Sequence, residues 1–275
     1  MIAAALLALA LAGASDDPGY RFARSLALAG PRPAGGAAER RAHAAVQRRF
    51  RAAGLRIARD GFAVPGHGRS RNVVGIHDAS GRCLIVLLAH TDSVPPADGA
   101  DDNASGVGTL VALAPRLAGL RPACDVWLIA TGAEERPYTG AADHLGALAA
   151  VSRVRRLGRA GDLRLALSLD EVGRGSVMHL RSPARAPRAS VEGAVLRAGE
   201  GSGLSVRWIR DSATGNSDHR EFELAGLPAA KLGVPDDSCR HTACDRASRL
   251  QAGTFPRVRR LVERLLAAGD PIRPS

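Results

Sequence analysis

The sequence predicts an α/β domain in three layers, with helices on both faces of a central, largely parallel (mixed) sheet. Two observations lead there. Apolar strand-like runs alternate with helix-like stretches, and several of those runs are continuously apolar instead of alternating. Continuous runs mark strands buried on both faces, because helices cover them above and below. The 275 residues are 45% apolar, enough for a sizeable core, and with aromatics at 3% that core must be Leu, Val and Ala.

The first stretch, "MIAAALLALALAGA" (residues 1–14), is apolar and ends in small residues. It reads as an export signal cleaved before Ser15, with a buried N-terminal helix as the alternative, since no Lys or Arg precedes the apolar run. From residue 20 to 275 the chain reads as a single domain, without internal repeats or a long linker. Residues 37–53 form an amphipathic helix, Val46 and Phe50 on one face, stopped at Gly54. "FAVPGHGRSRNVVGI" reads as two strands about a Gly-rich turn.

The alternation then begins. "CLIVLLA" is a strand, and "SGVGTLVALAPRLAG" a helix that Pro115 kinks or breaks. "DVWLIA" is a strand, "YTGAADHLGALAAVSR" a helix, "LRLALSL" a strand and "RASVEGAVLRAG" a helix. "SDHREFELAG" is a short helix, "PAAKLGV" a strand, and "TFPRVRRLVERLLAAG" a last helix capped by Thr254.

The formal charge is +11, nearly all of it arginine, with Lys231 the single lysine. The arginines are scattered, with no basic stripe and no interleaved aromatics, which argues against nucleic-acid binding. No later run is long and apolar enough to span a bilayer. The four cysteines, Cys83, Cys124, Cys239 and Cys244, include no CxxC pair, so a thiolate metal knot is not expected. Cys239 and Cys244 could close a tight loop. Cys83 and Cys124 each open a predicted strand and could meet if those strands are neighbours, or stay buried thiols.

Ligands of open α/β sheets bind beyond the carboxyl ends of the strands. Those ends carry the chemistry here. The first apolar strand leads into "AHTDS" (His90, Asp92), the next into "ATGAEE" (Glu134, Glu135), the third into "SLDEVG" (Asp170, Glu171) and the last into "PDDSCRHTACD" (His241). A helix starts near "DDNASG", placing Asp101 and Asp102 at its N-terminus. The expectation is two histidines and several carboxylates converging, with no lysine and few arginines nearby. Each residue alone has a bland reading, as a packed histidine, a helix cap or a solvated acid. Together they form a donor set suited to zinc, with manganese or cobalt as alternatives. There are more ligands than one tetrahedral ion needs, which suits two ions sharing one bridging carboxylate.

His90-Thr91-Asp92, "GADDNASG", "GAEE", Leu169-Asp170 and "HTACD", in this order, resemble the secreted bacterial di-zinc aminopeptidases of leucyl aminopeptidase type. Their wider family includes glutamate carboxypeptidase-like enzymes and glutaminyl cyclases. The resemblance runs from about residue 37 to the C-terminus and implies a zinc-dependent exopeptidase fold. It implies that His90 and Asp170 hold one Zn2+, Glu135 and His241 the other, and Asp102 both. It further implies Glu134 as general base toward a water bridging the metals, and Asp92 orienting the His90 ring through its other nitrogen. A cis Asp102–Asn103 bond and a Cys239–Cys244 disulfide follow from the same resemblance.

Departures exist. Arg240 stands where some members have tyrosine, leaving it to contact an oxyanion or substrate, or to face solvent. Arg136-Pro137-Tyr138 replaces smaller residues at the rim. Asp218 and His219 are expected to be structural, and Glu171 to recognise a substrate amine or to be solvated. The activity implied is removal of N-terminal residues from peptides with a free N-terminus by a periplasmic or secreted monomer. The alternatives are a glutaminyl cyclase-like acyltransferase, or a carboxypeptidase or other amidohydrolase on the same site. A peptide-binding relative without activity would be expected to have lost ligands.

Overall fold

The computed structural model describes residues 15–79, 82–139, 144–184, 186–212 and 215–268. The segment read as an export signal, 1–14, lies outside them. In chain order the elements are α1 (Pro18–Leu28), α2 (Ala37–Ala52), β1 (Arg56–Val64), β2 (Gly68–His77), β3 (Leu84–His90), α3 (Gly106–Leu113), the short α4 (Leu117–Leu120), β4 (Asp125–Thr131) and the short α5 (Arg136–Thr139). Then come α6 (Leu145–Arg156), β5 (Leu163–Leu169), β6 (Val177–Ser182), α7 (Glu192–Gly199), β7 (Ser205–Arg210), α8 (His219–Leu224), β8 (Ala229–Gly233) and α9 (Phe255–Ala267).

Eight strands form one mixed sheet in the order β1-β2-β4-β3-β5-β8-β6-β7. The four at its centre, β4, β3, β5 and β8, run parallel. β2 is antiparallel to β4, and β6 antiparallel to β8, so both flanks reverse direction. Side chains of successive strand residues point to opposite faces. Ile85, Leu87 and Ala89 of β3 join one apolar cluster with Phe22 of α1, Val46 and Phe50 of α2, Leu110 of α3, Val195 of α7 and Leu261 of α9. Leu84, Val86 and Leu88 join another with Val151 of α6 and Phe222 of α8. Every β3 residue is buried, which is why the run "LIVLLAH" carries no polar alternation.

Several expectations change. α1 was not legible as a helix in the sequence. Asp17 caps it, accepting from the amides of Gly19 and Tyr20 at 2.9 and 3.2 Å. β6 and β7 were also missed; both are only half-buried and polar, so they lack the apolar signal. The stretch 138–153 splits into α5 and α6, with 140–143 outside the described residues. The segment 100–105 is an irregular turn with non-helical backbone at Asp102 and Asn103, and α3 begins only at Gly106. Thr254 does not cap α9. Its backbone is already helical, and its hydroxyl donates to the Gly175 carbonyl at 2.8 Å. Pro115 does interrupt its helix, in the tight turn Ala114–Arg116 between α3 and α4.

Both cysteine pairs are disulfides. Cys83 and Cys124 precede the parallel neighbours β3 and β4, where Leu84 pairs with Asp125, which meets the condition for a bridge. No helix among the described residues is long and apolar enough to cross a membrane.

Leu87 is fully buried on the central strand. Leu87→Ala is expected to lower unfolding free energy by about 2–5 kcal/mol through lost apolar burial plus a residual cavity, read from denaturant titration.

Candidate active site

The parallel centre of the sheet delivers the functional side chains to one edge. His90 ends β3, Glu134 and Glu135 follow β4, Asp170 and Glu171 follow β5, and the loop after β8 brings His241. They meet in a cleft of about 440 Å³ lined by His90, Asp102, Glu134, Glu135, Arg136, His144, Asp170, Asn216, Lys231, Arg240 and His241.

Asp102 is at the middle. Its Oδ1 lies 3.0 Å from His90 Nε2 and its Oδ2 lies 3.4 Å from His241 Nε2. Asp170 Oδ1 stands 3.5 Å from His90 Nε2, and Glu135 Oε2 stands 2.8 Å from His241 Nε2. Two donor sets therefore share one carboxylate: His90, Asp102 and Asp170 on one side, and Asp102, Glu135 and His241 on the other. Glu134 reaches to 4.0 Å of His90 Nε2. The peptide bond Asp102–Asn103 is cis.

Cations fit this arrangement on two observations. Glu135 Oε1 and Asp170 Oδ1 are buried oxygens without a hydrogen-bond partner among the described residues, a costly state unless a cation faces them. His90 Nδ1 lies 3.2 Å from the Asp92 carbonyl. A carbonyl only accepts, so Nδ1 carries a hydrogen, and Nε2 is the nitrogen turned to the cleft carboxylates, the one a metal would take in place of a proton.

The electrostatics are extreme. Burial raises the Glu134 carboxyl well above its ordinary range, Glu135 and Asp170 adding to the rise and His90 opposing it. Burial and the nearby Asp102 push Glu135 up to about 7, against the pull of His241. Hydrogen bonds to Asp102 and Glu135 carry His241 up to about 10. Asp170 goes the other way: burial opposes its ionisation, but Lys231 and His90 hold it well below the usual range.

The scaffold behind the ligands is made of residues that hold backbone. The Asp92 carboxylate accepts from the amides of Glu134 and Glu135, both at 3.1 Å. It is 3.7 Å from His90 Nδ1, so the His90 hydrogen bond goes to the Asp92 backbone carbonyl, while the side chain fixes the glutamate turn. That turn includes Ala133 with φ 49°, a left-handed conformation uncommon for a non-glycine residue. Glu39 helps hold it, accepting from Ala133 N at 3.2 Å and from the Ser70 hydroxyl at 2.7 Å. Asp245, one residue past Cys244, accepts from the amides of Asp101 and Asp102 at 2.8 and 3.2 Å. Arg32, 1% exposed, donates to the carbonyls of Thr91, Asp98 and Gly99 at 2.7–2.8 Å. It thereby pins the loop between His90 and Asp102.

The sequence missed three cleft residues, His144, Asn216 and Lys231, whereas Arg136, read from the sequence as a rim residue, does line the cleft. His144 Nε2 lies 3.6 Å from Glu134 Oε1, and its Nδ1 lies 2.9 Å from Glu221 Oε1. Nothing in the sequence marked His144. Lys231 was markable, as a charge inside the apolar strand "PAAKLGV", and it corrects the expectation of a site without lysine. Its Nζ stands 2.8 Å from Asp170 Oδ2 and 3.3 Å from Glu171 Oε2. Glu171 also accepts from Arg240 Nε and Nη2 at 3.1 and 2.5 Å. Its carboxylate is thus engaged by two cations of the chain itself instead of facing a substrate amine, and Arg240 is a cleft wall held in place by Glu171. Tyr138 ties the rim to the neighbouring loop, donating to Ser93 O at 2.8 Å. Asp218 accepts from Thr131 Oγ1 at 2.7 Å, and His219 pairs with Asp211 at 2.8 Å, both buried and outside the cleft lining.

Fold and site together point to a class, an exopeptidase-type α/β fold with a cluster of residues that could hold metal ions. More particularly, the chain belongs to peptidase family M28, whose profile matches residues 72–266. Its fold is shared with BSAP, a zinc aminopeptidase from Bacillus subtilis, at a TM-score of 0.79 and 16% identity over 91% of this chain and 94% of that one. It is shared equally with a Bacteroides thetaiotaomicron glutaminyl cyclase bound to N-acetylhistamine, at a TM-score of 0.76 and 20% identity over 91% and 97%. The Escherichia coli protein YfbL is 30% identical over 132 residues, covering 45% of this chain and 39% of YfbL. The chain therefore aligns with about two fifths of that curated relative.

Arg32→Met leaves three buried carbonyls without their donor and is expected to cost about 3 kcal/mol or more of stability, read from denaturant titration. Arg32→Lys should restore only part, since one ammonium cannot span all three. A second outcome concerns pH. Burial raises Glu39 to about 7, with Asp92 adding to the rise, and burial raises Asp101 to about 7 against the Gly173 amide. The folded state then holds protons the unfolded state has lost, so stability falls as pH rises through those values. His43, lowered to about 4 by burial, opposes this only below its ordinary value of 6.5. In chelator-treated protein the melting temperature is expected to drop between about pH 4.5 and 7.5, as the two raised carboxyls outweigh His43 below pH 6.5 and act unopposed by it above.

Proposed function

We propose that this protein is an exported di-zinc aminopeptidase. The observation that supports it most is the Asp102 carboxylate presenting one oxygen to His90 and the other to His241, with Asp170 and Glu135 flanking. His90 and Asp170 would hold one ion, Glu135 and His241 the other, and Asp102 both. Zn2+ is the first choice for this mixed imidazole and carboxylate set, with Mn2+ or Co2+ able to replace it. When bound, such ions supply Lewis acidity, polarising the scissile carbonyl and acidifying water.

The chain's own residues do the rest. Glu134 takes a proton from the attacking water and passes it to the leaving amine. Its burial favours the protonated form between those two transfers. The hydrogen bonds that the backbone amides of Glu134 and Glu135 donate to Asp92 orient the glutamate pair so that Glu135 would ligate while Glu134 stays free to carry the proton. His144, braced by Glu221, stands beside the outer oxygen of Glu134 and limits its rotation. Substrates are peptides with a free N-terminus. Export is supported by two disulfides, which persist in oxidising compartments, and by the leader-like residues 1–14.

Purified protein is expected to release p-nitroaniline from leucine p-nitroanilide, to lose that activity on chelation and to regain it with Zn2+. An N-terminally blocked peptide should stay intact. Cyclisation of an N-terminal glutamine peptide without cleavage would instead place this chain with the cyclases that share its fold. Glu134→Ala should keep its metal content and lose at least about a hundredfold in kcat; near-native turnover would remove Glu134 from the role of base.

A further inference from the structure

The two halves of the cleft differ in one cation. Lys231 is the chain's single lysine, 4% exposed, on β8. Its ammonium takes Asp170 Oδ2 at 2.8 Å, while Asp170 Oδ1, without a hydrogen-bond partner among the described residues, faces His90 Nε2 at 3.5 Å. One carboxylate is thus divided between a tethered positive charge and the cleft. Glu171, 3.3 Å from the same ammonium, does not relieve this, because Arg240 already engages both its oxygens. The other half has no such neighbour. Glu135 meets His241 at 2.8 Å, and among the described residues no lysine or arginine pairs with it. Arg240 comes to 4.0 Å of Asp102 Oδ2, but Asp102 belongs to both halves and does not distinguish them.

We propose that Lys231 makes the centre unequal: the Glu135–His241 half takes its divalent ion first and tightly, and the His90–Asp170 half takes its ion second and more weakly. The inference rests on the two-ion reading of the site. A fixed ammonium offsets the one carboxylate that belongs to the His90 half alone. It also repels an incoming dication twice as strongly as it would a single charge, in a buried setting where screening is poor. At limiting zinc the chain then carries one ion, at Glu135 and His241, and the second site fills only as free zinc rises.

The test is a Zn2+ titration of metal-free protein against a competing chromophoric chelator, with zinc per chain measured after dialysis. Wild type is expected to bind in two steps at least about tenfold apart. Lys231→Met, with native circular dichroism, should leave the first step in place and tighten the second by about tenfold; Lys231→Arg should keep the wild-type separation. Equal wild-type steps, or a second step unchanged or weakened in Lys231→Met, overturn the inference while leaving a two-ion centre standing. A wild-type chain that binds no zinc overturns the two-ion reading, and this inference with it. Should Lys231→Met fail to fold, the assignment of the steps decides. Glu135→Gln must abolish the tighter step and Asp170→Asn the weaker, and the reverse order refutes the inference.

Discussion

Concentrated negative charge in a buried place is the constraint around which this molecule is arranged. Asp102, Glu134, Glu135, Asp170 and Glu171 are each at most 7% exposed, and all stand at one edge of the sheet. Two like charges 4 Å apart repel by about 4 kcal/mol even at an effective dielectric of 20. Such a set persists only if positive charge is brought to it. The chain supplies part of that itself, through Lys231 and Arg240, and the remainder falls to the imidazoles and to the dications their arrangement suits.

Holding that charge in place requires rigid backbone, and buried polar groups outside the donor set provide it. Arg32, Asp92, Glu39 and Asp245 bond mainly to main-chain carbonyls and amides. Asp92 and Glu39 fix the turn that carries Glu134 and Glu135, and Arg32 and Asp245 fix the loop that runs from His90 to Asp102. Three non-glycine residues at the site, Ala133, Glu171 and His241, have φ between 49° and 59°. Such conformations cost about 1–2 kcal/mol each, and the surrounding bonds over-determine them. The disulfide Cys239–Cys244 closes the loop that bears His241 and leads directly into Asp245, linking the last ligand to the amides of Asp101 and Asp102.

The central parallel strands were readable because burial on both faces leaves a continuous apolar run, as "LIVLLAH" shows for β3. β6 and β7 were not, because strands at the sheet's margin are half-exposed and the mixed polarity of "SVRWIR" carries no such mark; Val177–Ser182 alternates between buried and half-buried positions. Among site residues, the carboxylates and histidines at strand ends were legible from placement alone. His144 was not, because its meaning depends on Glu134 and Glu221, 10 and 77 residues away. Lys231 stood out in composition, yet its partner Asp170, just past β5, could not be read, since that requires knowing that β5 and β8 are neighbours.

By itself, then, the sequence determined the layer architecture, the edge of the sheet where chemistry occurs and the residue types that gather there. These follow from local hydrophobic pattern and from the rule that strand ends carry function. The tertiary structure decided which acid faces which base: the Asp92 carboxylate on the glutamate amides while its backbone carbonyl takes the His90 ring, Glu171 on Lys231 and Arg240, and Asp170 split between a lysine and the cleft. The reason is physical. A buried ion's partner is set by distances of a few ångströms across strands far apart in sequence, and no local pattern encodes those distances.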